Sequence, residues 1–432
     1  CRGEQCAVDE LATTGRETAF GRSIEVTHGL KDKNIILGVS GGIAAYKSVE
    51  LLRLMTRQEA AVRVVMTRNA QHFVGWMTFQ ALSGRPVCTS LFEKADETSF
   101  RHIDWATDAD AVVIAPASAD LIGKLANGIA DDALTTMMMV VTAPVVLCPS
   151  MNTNMYRSRA VQRNLDVLRS DGYSVVVPGA GDLACGTVGP GRLPEPPQIL
   201  DRLIGRLTPK DLKNQRVLVT AGPTREPIDP VRYISNPSTG KMGFAVARAA
   251  EHRGAGVTLV TGPTVLADPF DVDVIRIQTA EEMARAVLNR FENCDIVIKT
   301  AAVSDYRPKS TAAHKIKKDR AALTLELEPT VDILQELSRR KTHQVLVGFA
   351  AETEDLQKNA AQKLAAKNLD IIAGNLIGFP ESGFESDTNQ VTLFFQDGTR
   401  ENIPVMDKLA IAHIILDRVL ERVRLRGVDH RN

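Results

Sequence analysis

The sequence of 432 residues contains no run of about eighteen uninterrupted apolar residues, which is what a membrane-spanning helix requires. Its most apolar stretch, MMMVVTAPVVL at 137–147, is broken by Thr and Pro and reads as buried helix and sheet. No apolar signal-type segment stands near the start, so the expected location is the cytoplasm. Net charge is also missing: Lys+Arg and Asp+Glu are 52 each. That removes the electrostatic case for a general nucleic-acid binder. The six cysteines, at 1, 6, 88, 148, 185 and 294, form no CxxC pair. Cys1 and Cys6 have no second pair nearby to complete a zinc site, so free thiols are expected, most of them packed in the core.

What is present fits a globular enzyme. Hydrophobic residues make up 44% of the chain, too many for disorder. The length exceeds one ordinary core and suggests two domains of roughly 200 residues. From residue 33 a short apolar run, a glycine-rich turn and a helix-like stretch recur: NIILGVS (34–40), AAVRVVMT (60–67), DAVVIAPAS (110–118) and APVVLCPS (143–150). After the Gly/Pro-rich loop GTVGPGRLPEPPQ (186–198) and the helix-like ILDRLIGRL, the pattern restarts. QRVLVTAGPT (215–224), GVTLVTGP (256–263), DIVIKTAAVSD (295–305), QVLVGFAAET (344–353) and LDIIAGN (369–375) are its strands. Strands alternating with helices predict an α/β protein: two doubly wound, Rossmann-like units with mainly parallel sheets. The expected division is a tail at 1–30, a first domain at 31–200, a linker at 201–213 and a second domain at 214–432. Ligands bind such sheets at the carboxyl ends of the strands. SGG, MTRN, APASAD, CPSMN, TAGPT, KTAAVSD and GFAAET all fall there, which points to two nucleotide-like sites.

In the first half, Ser40-Gly41-Gly42 joins a strand to a helix, where backbone N–H groups can meet an anion. Taken alone this is equally a tight βα turn, and it is neither GxGxxG nor a P-loop. Its conjunction with VMTRNAQHFV (65–74), APASADLIGKLANGIADDALTT (115–136), SMNTNMY (150–156) and GDLACGTVGPGR (181–192) resembles the homo-oligomeric flavin-containing cysteine decarboxylases over about 33–200. The resemblance implies a flavodoxin-like domain that holds FMN through Gly41, Gly42, Thr67, Ser118, Ala119 and Ser150. It implies that Asn152 grips the substrate carboxylate, that His102 is the active-site histidine, and that Cys185 on a flap protonates the product. Each has a plainer role available: a surface histidine, a small packing thiol, a helix-capping asparagine. Ser150, Tyr156 and Asp120-Leu121 depart from common family residues.

In the second half, VLVTAGPTREPIDPVRYISNPSTGKMG (217–243) and KTAAVSDYRPKSTAAHKIKK (299–318) resemble the phosphopantothenate–cysteine ligase domain, over about 212–425. The STGK within the first motif fails the P-loop spacing. The resemblance implies that Asn236 stabilises an acyl-cytidylate, that Arg232 serves the second half-reaction, and that Lys315 is the essential lysine. The nucleotide CTP would meet Ala301, Asp305, Lys315, Val331, Asp332, Ile333, Leu334, Phe349, Lys363 and Lys367. By itself KIKK is equally a solvated basic edge, and Lys363 and Lys367 are equally two surface lysines one helical turn apart. Val331 stands where many relatives have Pro.

Together the halves resemble the bifunctional phosphopantothenoylcysteine decarboxylase / phosphopantothenate–cysteine ligases. This implies condensation of 4′-phosphopantothenate with L-cysteine at the expense of CTP, then decarboxylation to 4′-phosphopantetheine, with FMN and Mg²⁺ as cofactors and the metal ligands unassigned. It also implies a homo-oligomer, a dodecamer built from flavin-domain trimers and ligase dimers, with neither nucleic acid nor membrane as partner. The alternatives are a flavin decarboxylase or prenyltransferase with another substrate, and a non-catalytic flavin-binding regulator.

Overall fold

The computed structural model describes residues 29–91, 101–182, 186, 188–317, 323–352, 355–376 and 386–429, with 101–102, 351–352, 376 and 427–429 described in backbone only. Five strands make the first sheet: β1 (Asn34–Val39), β2 (Ala61–Met66), β3 (Ala111–Ala117), β4 (Val145–Pro149) and β5 (Ser174–Val175). All pair in parallel, in the order β2-β1-β3-β4-β5. β3 and β4 are buried along their whole length because helices cover both faces. Side chains alternate between those faces. Ile35, Leu37 and Val39 pack with Leu51, Met55, Ile199 and Leu203, whereas Ile36 and Ile114 pack with Leu121, Leu134 and Leu165. An antiparallel hairpin of β6 (Gly179–Asp182) and β7 (Val188–Arg192) follows. The helix Pro196–Leu207 then packs against the helix Ala45–Arg57, and so runs across the expected boundary at residues 200/201.

The second sheet contains β8 (Arg216–Ala221), β11 (Gly256–Thr261), β12 (Val272–Arg276), β13 (Ile296–Lys299), β16 (Val345–Glu352), β17 (Ile371–Leu376), β18 (Thr388–Phe395) and β19 (Arg400–Asp407). Two short hairpins interrupt that series: β9 (Arg225–Pro227) with β10 (Tyr233–Ser235), and β14 (Tyr306–Pro308) with β15 (Leu327–Pro329). The order is β12-β11-β8-β13-β16-β17-β18-β19. The first six strands are parallel, and β18 and β19 join antiparallel at one edge. The α/β class with mainly parallel sheets is as the sequence predicts; the antiparallel edge is an addition to it. Cys88, Cys148 and Cys294 are buried, and burial pushes the Cys148 thiol well up. Among the described residues no helix is long and apolar enough to cross a membrane.

Both strand orders reverse direction at a central strand. The chain leaves β1 for β2 on one side and returns to β3 on the other; it leaves β8 for β11 and returns to β13. At each reversal the connections diverge and open a crevice at the carboxyl edge.

Candidate active sites at the two switch points

At the first crevice, Ser40 laces the two sides together. Its hydroxyl donates to the Pro116 carbonyl (2.8 Å) and accepts from the Ser118 N–H (2.8 Å). Gly41 has to lack a side chain, since a Cβ there would lie 2.5 Å from Asn69 Cβ. At Gly42 the nearest atom to such a Cβ is Pro116 Cγ at 4.0 Å, so its outer side faces open space. Thr67 follows β2 directly; its N–H donates to the Val39 carbonyl (3.0 Å) and its Oγ1 accepts from Ala70 N–H (3.3 Å). Ser118 caps the helix Ala119–Ala126 by accepting from Leu121 N–H (3.3 Å), which leaves Ala119 as the first residue of that helix. Ser150 N–H donates to the Ala117 carbonyl (3.0 Å). The structure thus gathers Gly41, Gly42, Thr67, Ser118, Ala119 and Ser150 at one edge, all half-buried. A glycine open to space beside a helix N-terminus suits an anionic group such as a phosphate.

Asn152 adopts the plain capping role as well: its Oδ1 accepts from Asn154 N–H (2.8 Å) at the start of the helix Thr153–Arg157. The β6–β7 hairpin presses on this segment. Met151 N–H donates to the Gly191 carbonyl (3.0 Å), and a Cβ at Gly191 would lie 2.2 Å from the Met151 carbonyl oxygen. Cys185 belongs to the connection of that hairpin and lies outside the described residues. His102 is on the helix Arg101–Thr107, which runs toward the start of β3, so its first turn is the end nearer the carboxyl edge. The His102 side chain also lies outside the description.

The second crevice is a cavity of about 420 Å³ whose wall includes Asn236, Lys241, Lys299, Ala301, Phe349 and Lys408. Asn236 Nδ2 donates to the Val303 carbonyl (3.1 Å), tying the segment after β10 to the one after β13. Gly243 allows the helix Lys241–His252 to touch the sheet, because a Cβ there would meet Ala221 Cβ and Thr300 Oγ1 at 2.5 Å. Lys241 pairs with Asp387 (2.7 Å).

Lys299, to which the sequence analysis gave no role, is the centre of the charge cluster. Burial first, and then the charge of Lys367, push it down to about 8 against the pull of Asp332 and Asp305; Lys363 adds to the downward shift. Asp332 caps the helix Ile333–Arg340 and pairs with Lys367 (2.8 Å). Val331 and Asp332 are exposed, Leu334 is half-buried and Ile333 is buried in the core. Asp305 is exposed, and its carbonyl accepts from Thr330 N–H (2.9 Å). Of the expected ligase residues, therefore, Asn236, Ala301 and Phe349 line the cavity, while Asp305, Asp332, Lys363 and Lys367 act on Lys299 from beside it. Arg232 and Lys315 are not in its wall; they lie together on neighbouring exposed segments. Among the described residues no group of three His, Cys, Asp or Glu side chains can hold a metal ion.

Residues 23–208 match the family described as Flavoprotein, and residues 212–423 match the DNA/pantothenate metabolism flavoprotein C-terminal domain. The Coenzyme A biosynthesis bifunctional protein CoaBC of Bacillus subtilis (strain 168) is 49% identical over 394 residues, covering 90% of this chain and 97% of that protein. Its counterpart from Escherichia coli (strain K12) is 45% identical over 398 residues, covering 91% and 98%. Among solved structures, the C-terminal domain of a Coenzyme A biosynthesis bifunctional protein CoaBC is 41% identical with a TM-score of 0.44, covering 50% of this chain and 98% of that one. The FMN-dependent cysteine decarboxylase SpaF is 31% identical with a TM-score of 0.37, covering 41% and 97%. With near-complete coverage at this identity, the chain belongs to the family of coenzyme A biosynthesis bifunctional proteins, which combine a flavoprotein phosphopantothenoylcysteine decarboxylase half with a phosphopantothenate–cysteine ligase half.

Proposed function

We propose that the second crevice condenses 4′-phosphopantothenate with L-cysteine through an acyl-cytidylate formed from CTP, and that the first crevice, holding FMN, decarboxylates the product to 4′-phosphopantetheine. The observation that carries the ligase reading is the cavity at the β8/β13 switch point, walled by Asn236 and three lysines, Lys241, Lys299 and Lys408. A carboxylate becomes a good acyl donor once it carries a nucleotide, and forming that anhydride places negative charge on phosphate oxygens. Lys299, Lys363 and Lys367 supply opposing charge, with Lys315 brought from the adjacent loop. Phe349 and Ala301 furnish an apolar wall. Asn236 would donate to the acyl-phosphate, and Arg232 would serve the attack of cysteine. Mg²⁺ would arrive on the triphosphate.

In the first half, Gly41, Gly42, Thr67, Ser118, Ala119 and Ser150 would hold the FMN phosphate and ring edge. When bound, FMN supplies the redox chemistry that gives the cysteine carboxylate an electron sink. Asn152 orients that carboxylate, His102 moves a proton, and Cys185 protonates the product. The proposed layout is a tail at 1–30, a decarboxylase domain at 31–200, a linker at 201–213 and a ligase domain at 214–432. Ile43, Tyr46, Phe73, Trp76 and Met77 are exposed on two touching helices and their leading turns, beside the glycine turn. So much bare apolar surface supports a homo-oligomer, with a dodecamer as the expected size.

The test is one assay of the purified protein with 4′-phosphopantothenate, cysteine and CTP, following pyrophosphate and CO₂ separately. Both are expected, and CO₂ is expected to require pyrophosphate release first. Pyrophosphate with no CO₂, from flavin-loaded protein, would refute the decarboxylase assignment; failure of CTP to support pyrophosphate release would refute the ligase assignment.

A further inference from the structure

The Asp229 carboxylate is fully buried and is shared by two chain segments far apart in sequence. Its Oδ1 accepts the backbone N–H groups of Val231 and Arg232, both at 2.8 Å, which closes the turn 228–232. Its Oδ2 accepts from Arg232 Nε (3.0 Å) and Nη2 (2.5 Å), and also from the backbone N–H of Ile316 (3.1 Å), 87 residues further on. The same Arg232 Nη2 donates back to the Ile316 carbonyl (2.7 Å). Two further bonds run alongside: Ala312 N–H to the Ile228 carbonyl (3.0 Å) and Thr311 Oγ1 to the Pro227 carbonyl (3.1 Å). The loop carrying Lys315 is therefore laid along the turn carrying Arg232, with one carboxylate at the crossing.

We propose that Asp229 is a positioning residue for the ligase reaction: it fixes the backbone at Ile316, and through it the adjacent Lys315, against the Arg232 turn. The proposal rests on the reading that Lys315 acts in CTP-dependent ligation. Lys315 is exposed in a loop without helix or strand, and a long lysine side chain in such a loop samples many positions unless its backbone is held. Burial alone would push the Asp229 carboxyl up, but the hydrogen bonds from Arg232, Val231 and Ile316 outweigh it and hold the group well below the usual carboxylate range. The anchor is thus an anion at any pH where the enzyme works. An amide in its place keeps the shape but gives up the charge-assisted bonds to both segments.

The experiment measures pyrophosphate release by the full-length, flavin-loaded protein for Asp229→Asn, Lys315→Ala and the double variant. Decarboxylation of supplied phosphopantothenoylcysteine by the same preparations reports folding. A displacement of a charged group by about 1 Å costs on the order of 100-fold in rate, so Asp229→Asn should lose about that factor in kcat, with decarboxylation unchanged. If Asp229 acts through Lys315, the double variant should be no slower than Lys315→Ala alone. A double variant slower by the full product of the two single effects would overturn the positioning role, as would parental kcat in Asp229→Asn. Undiminished activity in Lys315→Ala would instead overturn the underlying reading of that lysine. Ile316→Pro, which deletes the accepted N–H and leaves the Asp229–Arg232 pair, supplies a second route. It should lose ligase activity comparably, and if Asp229→Asn does not fold, parental kcat in Ile316→Pro refutes the proposal.

Discussion

Gly41 and Gly42 are neighbours in one turn, yet the structure predicts opposite consequences for giving each a methyl group. At Gly41 the new Cβ would lie 2.5 Å from Asn69 Cβ, 3.1 Å from its carbonyl carbon and 3.3 Å from its Cα. Two of those atoms are backbone and cannot swing aside, so Gly41→Ala is an overpacking change costing about 1–3 kcal/mol. For a domain of this size, about 2–4 °C per kcal/mol follows, hence a fall of about 2–12 °C in the apoprotein. At Gly42 the nearest atom would be 4.0 Å away and the backbone is outside the left-handed region. Gly42→Ala should therefore leave the apoprotein unchanged or raise its stability by about 0.4–1 kcal/mol through the unfolded chain. What the methyl meets is the ligand. If it displaces one charge-assisted bond from a backbone N–H to the FMN phosphate, the loss is about 1.5–3 kcal/mol, or about 10- to 150-fold in Kd. Thermal unfolding of flavin-stripped protein and fluorescence titration with FMN separate the two effects. Parental FMN affinity in Gly42→Ala would refute the placement of the phosphate over this turn, and a parental Tm in Gly41→Ala would refute the steric argument.

Two other perturbations probe the second half and the joint. Because Lys299 is pushed down to about 8 from its ordinary 10.5, mainly by burial and then by Lys367, the unfolded chain binds one more proton than the folded chain between those values. Stability should rise with pH across that window, and the rise should vanish in Lys299→Met, as read by denaturant titration at several pH values. The same loss of charge above pH 8 should raise the KM for CTP in the parent and not in Lys299→Met; coincident pH profiles would contradict this. At the joint, Asp201 accepts from Arg248 (2.5 Å) and lies 3.0 Å from His252 Nε2, both on the helix Lys241–His252. Burial raises its carboxyl pKa, but His252 and Arg248 outweigh that and hold it below the usual range, so its contribution is present above that range and lost as pH falls through the lowered value. Asp201→Asn should cost about 1–3 kcal/mol of that contact and split the calorimetric transition into two; a single endotherm superposable on the parent's would count against the joint.

The sequence revealed the core strands because parallel strands covered on both faces must be apolar throughout, as β3 and β4 are. It concealed β12, whose residues are half-buried or exposed at a sheet edge, and β18–β19, where polar residues alternate into solvent. The short hairpins escaped for the same reason: three-residue ladders such as β9–β10 have no period to read. The gathering of residues at the first crevice was legible because a doubly wound sheet delivers every strand end to one edge, whatever the helices contribute. Lys299 was not, since a lysine ending a strand differs from any surface lysine only in what surrounds it. Asp229 shows the other limit. Its bond to Arg232 three residues on is within reach of a sequence argument, but its bond to Ile316 exists only after folding. The helix Pro196–Leu207 shows a third limit: Ile199, Leu203 and Ile204 pack in the core of the first half, a contact that no shift in composition announces.

The charge pattern of the second cavity also favours an anionic ligand. Lys241 is the first residue of the helix Lys241–His252, Lys408 is the first of the helix Lys408–Asp429, and neither helix has an acidic residue in its first turn. A cation at a helix N-terminus opposes the macrodipole, the reverse of the arrangement that stabilises helices. Burial, and then the charge of Lys241, push Lys408 down further. Two helices thus carry the wrong charge at the same cavity, with Lys299 as a third cation in its wall. Asp387 offsets part of this through Lys241, but it is exposed and its pair is correspondingly weak. Departures from local preference that converge on one pocket are expected where function demands them. Here three lysines, two of them at helix starts, add their positive potential in one place, offset only in part by Asp387 and by Asp407, which accepts the Leu409 N–H (2.7 Å), an arrangement costly to the empty protein and favourable once a polyanion enters.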